Sequence, residues 1–383
     1  MSNPSNTLKS VEVRAEGLPR SAPALVLIVE SQRPLAGGAA YSLAGLARLT
    51  IGRGGDRLLS QGPDARLELP DPKISGRHAL LEREAGGWRL RDCGATNGCL
   101  VNGVRVDEAT LRDCDLLRLG GSFFRFRARQ IEGASLASAP ALPGLATLVG
   151  QHHLQLSRLA RVAATPIPVL LRGETGSGKE VVARAIHAAS GRGPFVAVNC
   201  GAIAPTLLES QLFGHVRGAF SGAIRDEPGF VRAADGGTLF LDEVAELPAP
   251  AQATLLRVLQ QSEVVPVGAT RPIRVDVRVL SATHQPLEAW MGDERFRRDL
   301  YARLAGFTHR LPPLRERLDD LGILLAALLS RRPDARPIQL RPEVVQAFLD
   351  HAWPLNVREL EQALTAAVAL SPDGVIRLED LPE

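Results

Sequence analysis

Seven consecutive residues are spaced for phosphate chemistry: Gly173, Glu174, Thr175, Gly176, Ser177, Gly178 and Lys179. This G-x-x-x-x-G-K run follows an apolar stretch and opens a helical one. Glycines there let backbone N–H groups turn inward around phosphate oxygens, while a helix N-terminus and the lysine add positive potential. Lys179 is one of only three lysines among 45 basic residues, so a compact point charge stands out in a chain that otherwise uses arginine. Glu180 occupies the place where Ser or Thr usually binds magnesium, which shifts metal ligation to Asp242 and water. Asp242 and Glu243 end the apolar run Thr238–Leu241. A carboxylate at that strand end suits Mg²⁺, and the next one suits polarisation of an attacking water. Two solvated acids at a helix start would look the same in isolation; a phosphate loop upstream favours the catalytic assignment.

A second constellation lies near the N-terminus: Ile51-Gly52-Arg53, then Ile74-Ser75-Gly76-Arg77-His78-Ala79, then Thr96-Asn97-Gly98 and Val101-Asn102-Gly103. Arg53 can pair with a phosphate, Ser75 can donate a hydroxyl hydrogen bond, and Thr96 with Asn97 can fix a ligand backbone. His78 reads as a brace between loops. Gly76 brings no side chain to this loop. A sandwich whose turns use Gly, Asn and Ser, and which binds nothing, is the alternative.

The elements that must position these residues fall into two patterns. Residues 23–129 read as short strands between turns, such as Leu49–Ile51, Trp88–Arg91, Leu116–Leu119 and Phe123–Arg127. Residues 131–144 are small, nearly uncharged and contain Pro and Gly, the composition of a linker. From Leu145 strands (Pro168–Arg172, Phe195–Asn199, Thr238–Asp242, Val275–Ala282) alternate with amphipathic stretches (Glu180–Ala189, Ala251–Gln260), which implies a parallel sheet covered by helices. From about Asp319 the pattern is helical only. The expected architecture is multidomain: an all-β sandwich over 1–130, a linker over 131–144, an α/β phosphate-loop subdomain over 145–312 and an α-helical lid over 313–383.

Composition narrows the function classes. A net charge of +3 is too mild to argue for nucleic-acid binding by itself. The four cysteines form no C-x-x-C pair, so buried free thiols are expected rather than a metal site. The first residues lack the apolar core of a signal peptide, and the longest apolar runs fall far short of the ~18 residues of a membrane span. A cytoplasmic protein without membrane contact is expected.

Residues 148–383 resemble the AAA+ domain of bacterial enhancer-binding proteins, the ATPases that activate sigma-54 RNA polymerase. The motifs are GETGSGKE (173–180), QLFGHVRGAFSGA (211–223), GGTLFLDEV (236–244), FRRDLYARL (296–304), LPPLRERLDD (311–320) and WPLNVREL (353–360). Gly218, Ala219, Phe220, Ser221, Gly222 and Ala223 form the most specific of these, the family's usual form being GAFTGA; Ser221 keeps the hydroxyl and loses a methyl. Glycines on both sides of Phe220 suit a tight loop with an aromatic tip, placed either in the core or against a partner; the resemblance implies a loop that grips the sigma factor. It also implies that Arg297 and Arg303 are arginine fingers reaching a neighbouring subunit's γ-phosphate, that Arg358 is a sensor arginine touching phosphate from the lid, and that Asn199 holds the catalytic glutamate until the sigma factor engages. His284 stands where an Asn usually follows Thr283, and Leu355 replaces a common Gly. ATP and Mg²⁺ are the implied cofactors, a homo-oligomeric ring, expected as a hexamer, the implied assembly, and sigma-54 holoenzyme the implied partner. The residues after Arg358 are too few for the helix-turn-helix usual in the family, so no sequence-specific DNA-binding unit is expected here.

The N-terminal constellation resembles the forkhead-associated (FHA) domain, whose GR…SxxH…NG order it follows. That resemblance implies binding of a phosphothreonine protein or peptide through Arg53, Ser75, Thr96 and Asn97. Two other readings stay open: a remodelling ATPase with a client other than sigma-54, and an FHA signalling adaptor carrying a vestigial ATPase.

Overall fold

The computed structural model describes residues 21–131, 142–332 and 336–382. Most of the linker expected over 131–144 lies outside the described residues.

The N-terminal unit is a sandwich of two six-stranded sheets. One orders the strands Ala39–Ser42, Ser21–Glu30, Ser122–Ile131, Leu116–Leu119, Cys99–Val101 and Val104–Val106; the other orders Glu108–Leu111, Gly87–Asp92, Ala79–Glu84, Arg48–Arg53, Asp64–Leu69 and Leu58–Leu59. Alternation drives the packing. Leu49 and Ile51, then Ala65, Leu67 and Leu69, face inward while Arg48, Arg53 and Asp64 stay outside. With Leu81, Trp88, Leu90 and Phe124 they form one core, each large side chain contributing about 1.5–3 kcal/mol on burial. Gly52 is required sterically: a Cβ there would overlap the Gly76 carbonyl. That close approach lets the Arg53 N–H donate to the Ser75 carbonyl at 3.0 Å and joins two of the reading loops.

The central unit is a five-stranded parallel sheet ordered Phe195–Asn199, Thr238–Asp242, Arg278–Thr283, Val169–Arg172 and Phe307–Arg310. Successive residues serve opposite faces. Leu170, Leu239, Leu241 and Val279 pack against Leu208, Leu212, Leu255 and Leu300. Val169, Leu171, Phe240, Leu280 and Ala282 pack against Leu156, Leu159, Val182 and Ile186. Both faces are covered, as a parallel sheet requires. The strand expected over Val275–Ala282 begins only at Arg278, because the Val275 N–H is drawn to the Ser262 carbonyl beside the hairpin pair Glu263–Val264 and Ile273–Arg274.

The C-terminal unit has the helices Leu321–Leu329, Pro342–Asp350 and Asn356–Leu370. Where only helices were expected, a short parallel ladder pairs Gln339–Leu340 with Val375–Ile376. Leu321–Leu329 is apolar all round, the mark of a helix covered on several sides. What covers it is the β sandwich: Ile28, Val29 and Phe123 share one buried cluster with Leu321, Leu325, Leu329 and the lid core. A Cβ on Gly322 would overlap the Ile28 carbonyl. Around this contact, Asp319 takes Arg125 at 3.3 Å and Arg127 at 2.7 Å, the Leu340 N–H donates to the Ser31 carbonyl at 2.6 Å, and Gln130 donates to the Leu148 carbonyl. Asp320 accepts from Thr147 Oγ1 and the Leu148 N–H, and burial pushes its carboxyl up to about 6. The sandwich therefore docks on the lid. The apolar run Ala24–Val29, continuous rather than alternating, is the sequence signal of a strand covered on both faces.

Candidate active site

The phosphate loop connects the end of strand Val169–Arg172 to helix Lys179–Ser190. Strand carboxyl ends gather here: Asn199 is in register with Asp242, and Arg172 with Thr283. Open parallel sheets bind ligands at this edge. Gly176 and Gly178 take φ of +75° and +102°, which curls the loop. The lid closes over it. Val357 donates its N–H to the Gly176 carbonyl at 3.0 Å, and a Cβ on Gly176 would overlap the Leu355 carbonyl and meet the Cβ of Arg358 at 3.0 Å. Arg358 is exposed and starts from the backbone beside the loop.

Lys179 is buried, and its ammonium sits 3.1 Å from the Gly173 carbonyl, 3.4 Å from the Glu174 carbonyl and 3.6 Å from Glu243 Oε1. The Ser177 hydroxyl is buried without a partner. Asp242 is half-buried, and that partial desolvation raises its carboxyl pKa, while Lys179 opposes the rise. A loop of inward-facing backbone, one ammonium, one unpartnered hydroxyl and a partly desolvated carboxylate fit a nucleoside triphosphate with a divalent cation. Glu180 does not enter the cradle; it forms an i,i+4 pair with Arg184 at 2.6 Å.

Glu243 Oε2 lies 2.7 Å from His284 Nδ1. Asn199 turns its side chain into its own loop, where Oδ1 accepts from the Gly201 N–H at 2.9 Å; it makes no hydrogen bond to Glu243. His284 was visible in the sequence only as a departure from the usual Asn. Glu174, expected merely as a loop member, anchors the lid. Arg315 clamps it with two bonds of 2.8 and 2.6 Å and the Asn356 amide adds a third at 3.1 Å, holding its carboxyl down at about 2. Asn356 also bonds the Thr175 carbonyl and receives the Leu314 N–H. Sequence reasoning took only Arg358 from the WPLNVREL segment, and Asn356, which stitches lid to loop, was missed; a lone Asn opening a helix reads as a cap.

Arg297 and Arg303 are both exposed. Arg297 pairs with Asp299 at 2.7 Å, and Arg303 makes no side-chain hydrogen bond or ion pair among the described residues. Neither touches its own chain's phosphate loop. The Gly218–Ala223 segment is a tight turn in which the Gly218 N–H donates to the Ala223 carbonyl and the Ala223 N–H to the Phe220 carbonyl. Phe220 stays 38% exposed, its ring tilted on His215 at 5.0 Å, with Ile224 83% exposed beside it. Ser221 is exposed and Ala223 buried at the base.

In the sandwich, His78 is buried and bridges two reading loops: Nδ1 accepts from the Ser75 N–H at 3.1 Å and Nε2 lies 3.1 Å from the Gly98 carbonyl. Arg53, Thr96 and Asn97 are exposed around Ser75, whose Oγ accepts from the Thr96 N–H at 3.3 Å. The Asn97 amide already spans to the Lys73 carbonyl at 2.7 Å, so it shapes the loop. Cys99 and Cys200 are buried free thiols, with burial pushing Cys200 up to about 12. No helix among the described residues is long and apolar enough to cross a membrane.

Comparison with known families matches residues 149–309 to the Sigma-54 interaction domain, 49–120 to the FHA domain and 315–383 to an AAA+ ATPase lid domain. The acetoin catabolism regulatory protein of Cupriavidus necator is 50% identical over 250 residues, covering 63% of this chain and 37% of its own length. NtrX from Brucella abortus in complex with ATP superposes with a TM-score of 0.56 at 34% identity, over 60% of this chain and 52% of that one. The chain spans less than half the length of the first curated relatives it matches, 37% for the acetoin regulator and 42% for UacR of Escherichia coli. The sigma54-dependent transcriptional activator SfnR of Pseudomonas putida is 43% identical over 260 residues, covering 64% of this chain and 71% of its own length. Matched to a relative over more than two thirds of that relative, the chain belongs to the sigma-54-dependent transcriptional activators, a family of AAA+ ATPases, and carries an FHA domain ahead of its motor.

Proposed function

We propose that this protein hydrolyses ATP in a ring of its own copies, expected as a hexamer, to remodel sigma-54 RNA polymerase at a closed promoter, under control of a phosphothreonine ligand read by the FHA domain. Lys179 and the loop N–H groups hold the phosphates, and Ser177 has a free hydroxyl to add. Asp242 with water is the ligand set for magnesium, which when bound neutralises charge on the transferring phosphate oxygens. Glu243 orients water and takes its proton. Arg297 and Arg303 stabilise charge at a neighbour's site, and Arg358 reports phosphate to the lid.

The observation that carries the sigma-54 assignment is the Gly218–Ala223 turn, with Phe220 held half out of the surface. Its base is tied to a second loop, Val216 N–H to the Val267 carbonyl and Val267 N–H to the Gly214 carbonyl, and follows helix Pro205–Phe213 directly from the Asn199 strand end. Movement at the nucleotide has a short covalent route to the aromatic tip. Phe220→Ala is expected to abolish retention of sigma-54 and open-complex formation, with ATP affinity measured alongside as a control on folding. Retention of sigma-54 by the variant at the parent's level, or no retention by the parent, would overturn the assignment and favour another client.

Regulation by the FHA unit is supported by its docking on the lid. Asp71, at the start of the Ser75 loop, accepts from the Gly121 N–H and Ser122 Oγ, each at 2.8 Å; Phe123 is next in the chain and lies in the lid core. A ligand shifts the lid only if it binds one lid arrangement better than another. A phosphothreonine peptide is expected to bind in calorimetry and to change ATP turnover, and Arg53→Ala to lose both responses through loss of its charge-assisted bonds. Equal binding of phosphorylated and unphosphorylated peptides would make the sandwich a scaffold.

A further inference from the structure

Glu243 leaves its strand with φ +50°, a left-handed backbone that a non-glycine residue keeps only where its surroundings over-determine it. Its carboxylate is held from two sides. Oε1 lies 3.6 Å from the Lys179 ammonium. Oε2 lies 2.7 Å from His284 Nδ1 and 3.4 Å from the His284 N–H. The Gln285 amide nitrogen sits 2.9 Å from His284 Nε2, so it donates there. The ring hydrogen is then on Nδ1 and points at Glu243. Thr283 Oγ1, accepting from the Gln285 N–H at 2.9 Å, fixes the turn that carries both side chains. The strand Arg278–Thr283 is the direct neighbour of Thr238–Asp242, so His284 and Glu243 emerge side by side from the sheet edge.

We propose that His284 latches Glu243. By donating its Nδ1 hydrogen to Oε2, it holds the carboxylate in a resting position where that oxygen cannot accept a proton from water, and it restrains hydrolysis until the ring swings away. The inference rests on Glu243 being the group that activates water. With a lone pair of Oε2 taken by the ring hydrogen and Oε1 turned toward Lys179, the carboxylate is held by both of its oxygens. The ring is 38% exposed, so the latch opens by side-chain rotation into solvent. Asn199, which the family resemblance assigns to this restraint, is engaged with Gly201 instead. Its role has moved to the next strand but one in the sheet.

The test is the client-free ATPase of the full chain. His284→Ala is expected to raise kcat about 10-fold, the weight of one hydrogen bond to a charged group, with KM for ATP unchanged. His284→Asn places an amide N–H near the position of Nδ1 and is expected to return the rate toward the parent. Gln285→Leu frees the ring tautomer and is expected to give a smaller rise in the same direction, which keeps the idea testable if the alanine variant fails to fold. Adding Glu243→Ala to His284→Ala is expected to remove the gain. A kcat for His284→Ala and Gln285→Leu at or below the parent's, while Glu243→Ala is slow, would overturn the latch and leave the role of Glu243 standing. Glu243→Ala hydrolysing at the parent rate would overturn that role itself.

Discussion

Glu243→Ala is expected to bind ATP nearly as the parent does while hydrolysis falls by ~10²–10⁴, the usual weight of one proton-transferring group. The separation follows from where the charges sit. Phosphate binding rests on Lys179 and the loop backbone, whereas Glu243 stands at the end of the next strand but one, across the cradle, with Oε1 3.6 Å from the ammonium. Removing the carboxylate leaves the lysine with its two carbonyl partners and does not open the loop. Fluorescent-nucleotide titration reads binding, and phosphate release reads turnover. Parental turnover in the variant would place the base elsewhere.

Subunits carrying Lys179→Ala and subunits carrying Arg303→Ala are each expected to be nearly inactive alone, since an arginine finger is worth ~10³–10⁵ in kcat. Mixed, they are expected to recover a measurable fraction of parental hydrolysis. The intact cradle of one subunit then meets the intact finger of another. The structure motivates the test: Arg303 is exposed without an ion-pair partner among the described residues, and Arg297 pairs only with Asp299 two positions away. An exposed guanidinium with no partner across its own chain is free to reach a neighbour's phosphate. Phosphate release measured against mixing ratio and against total concentration checks the expectation. Mixtures no faster than the two components, or turnover per subunit independent of concentration, would place the fingers in cis or remove them from catalysis.

Much of the candidate nucleotide site was legible because its constraints are local. A phosphate loop needs particular residues within one turn of chain, so GETGSGK between an apolar strand and a helix declares itself. The strand Thr238–Asp242 likewise carries its own signature, an apolar run ended by two acids, and its observed bounds match the expected ones. The sandwich was legible through short strands set between turns, as in Arg48–Arg53, where Leu49 and Ile51 are buried and both end arginines are exposed. The strand at 275–282 was misjudged at its start because a hairpin contact at Ser262, thirteen residues upstream of Val275, competes for the backbone.

Residue type and spacing along the chain were thus enough for the fold classes, the candidate phosphate loop and the strand-end carboxylate pair, since each is set by neighbours within a few positions, whereas the exposure of Phe220 was left open by its flanking glycines. Contacts between units were decided only in three dimensions. That Asp319 would face Arg125 and Arg127, that Asn356 would bond Glu174 across 182 positions, and that His284 rather than Asn199 would hold Glu243 depend on which surfaces meet. Those meetings are set by the twist of a sheet and the fit of an all-apolar helix against a two-faced strand. Hydrophobic pattern says that Ala24–Val29 and Leu321–Leu329 must each be covered; only packing says that they cover one another.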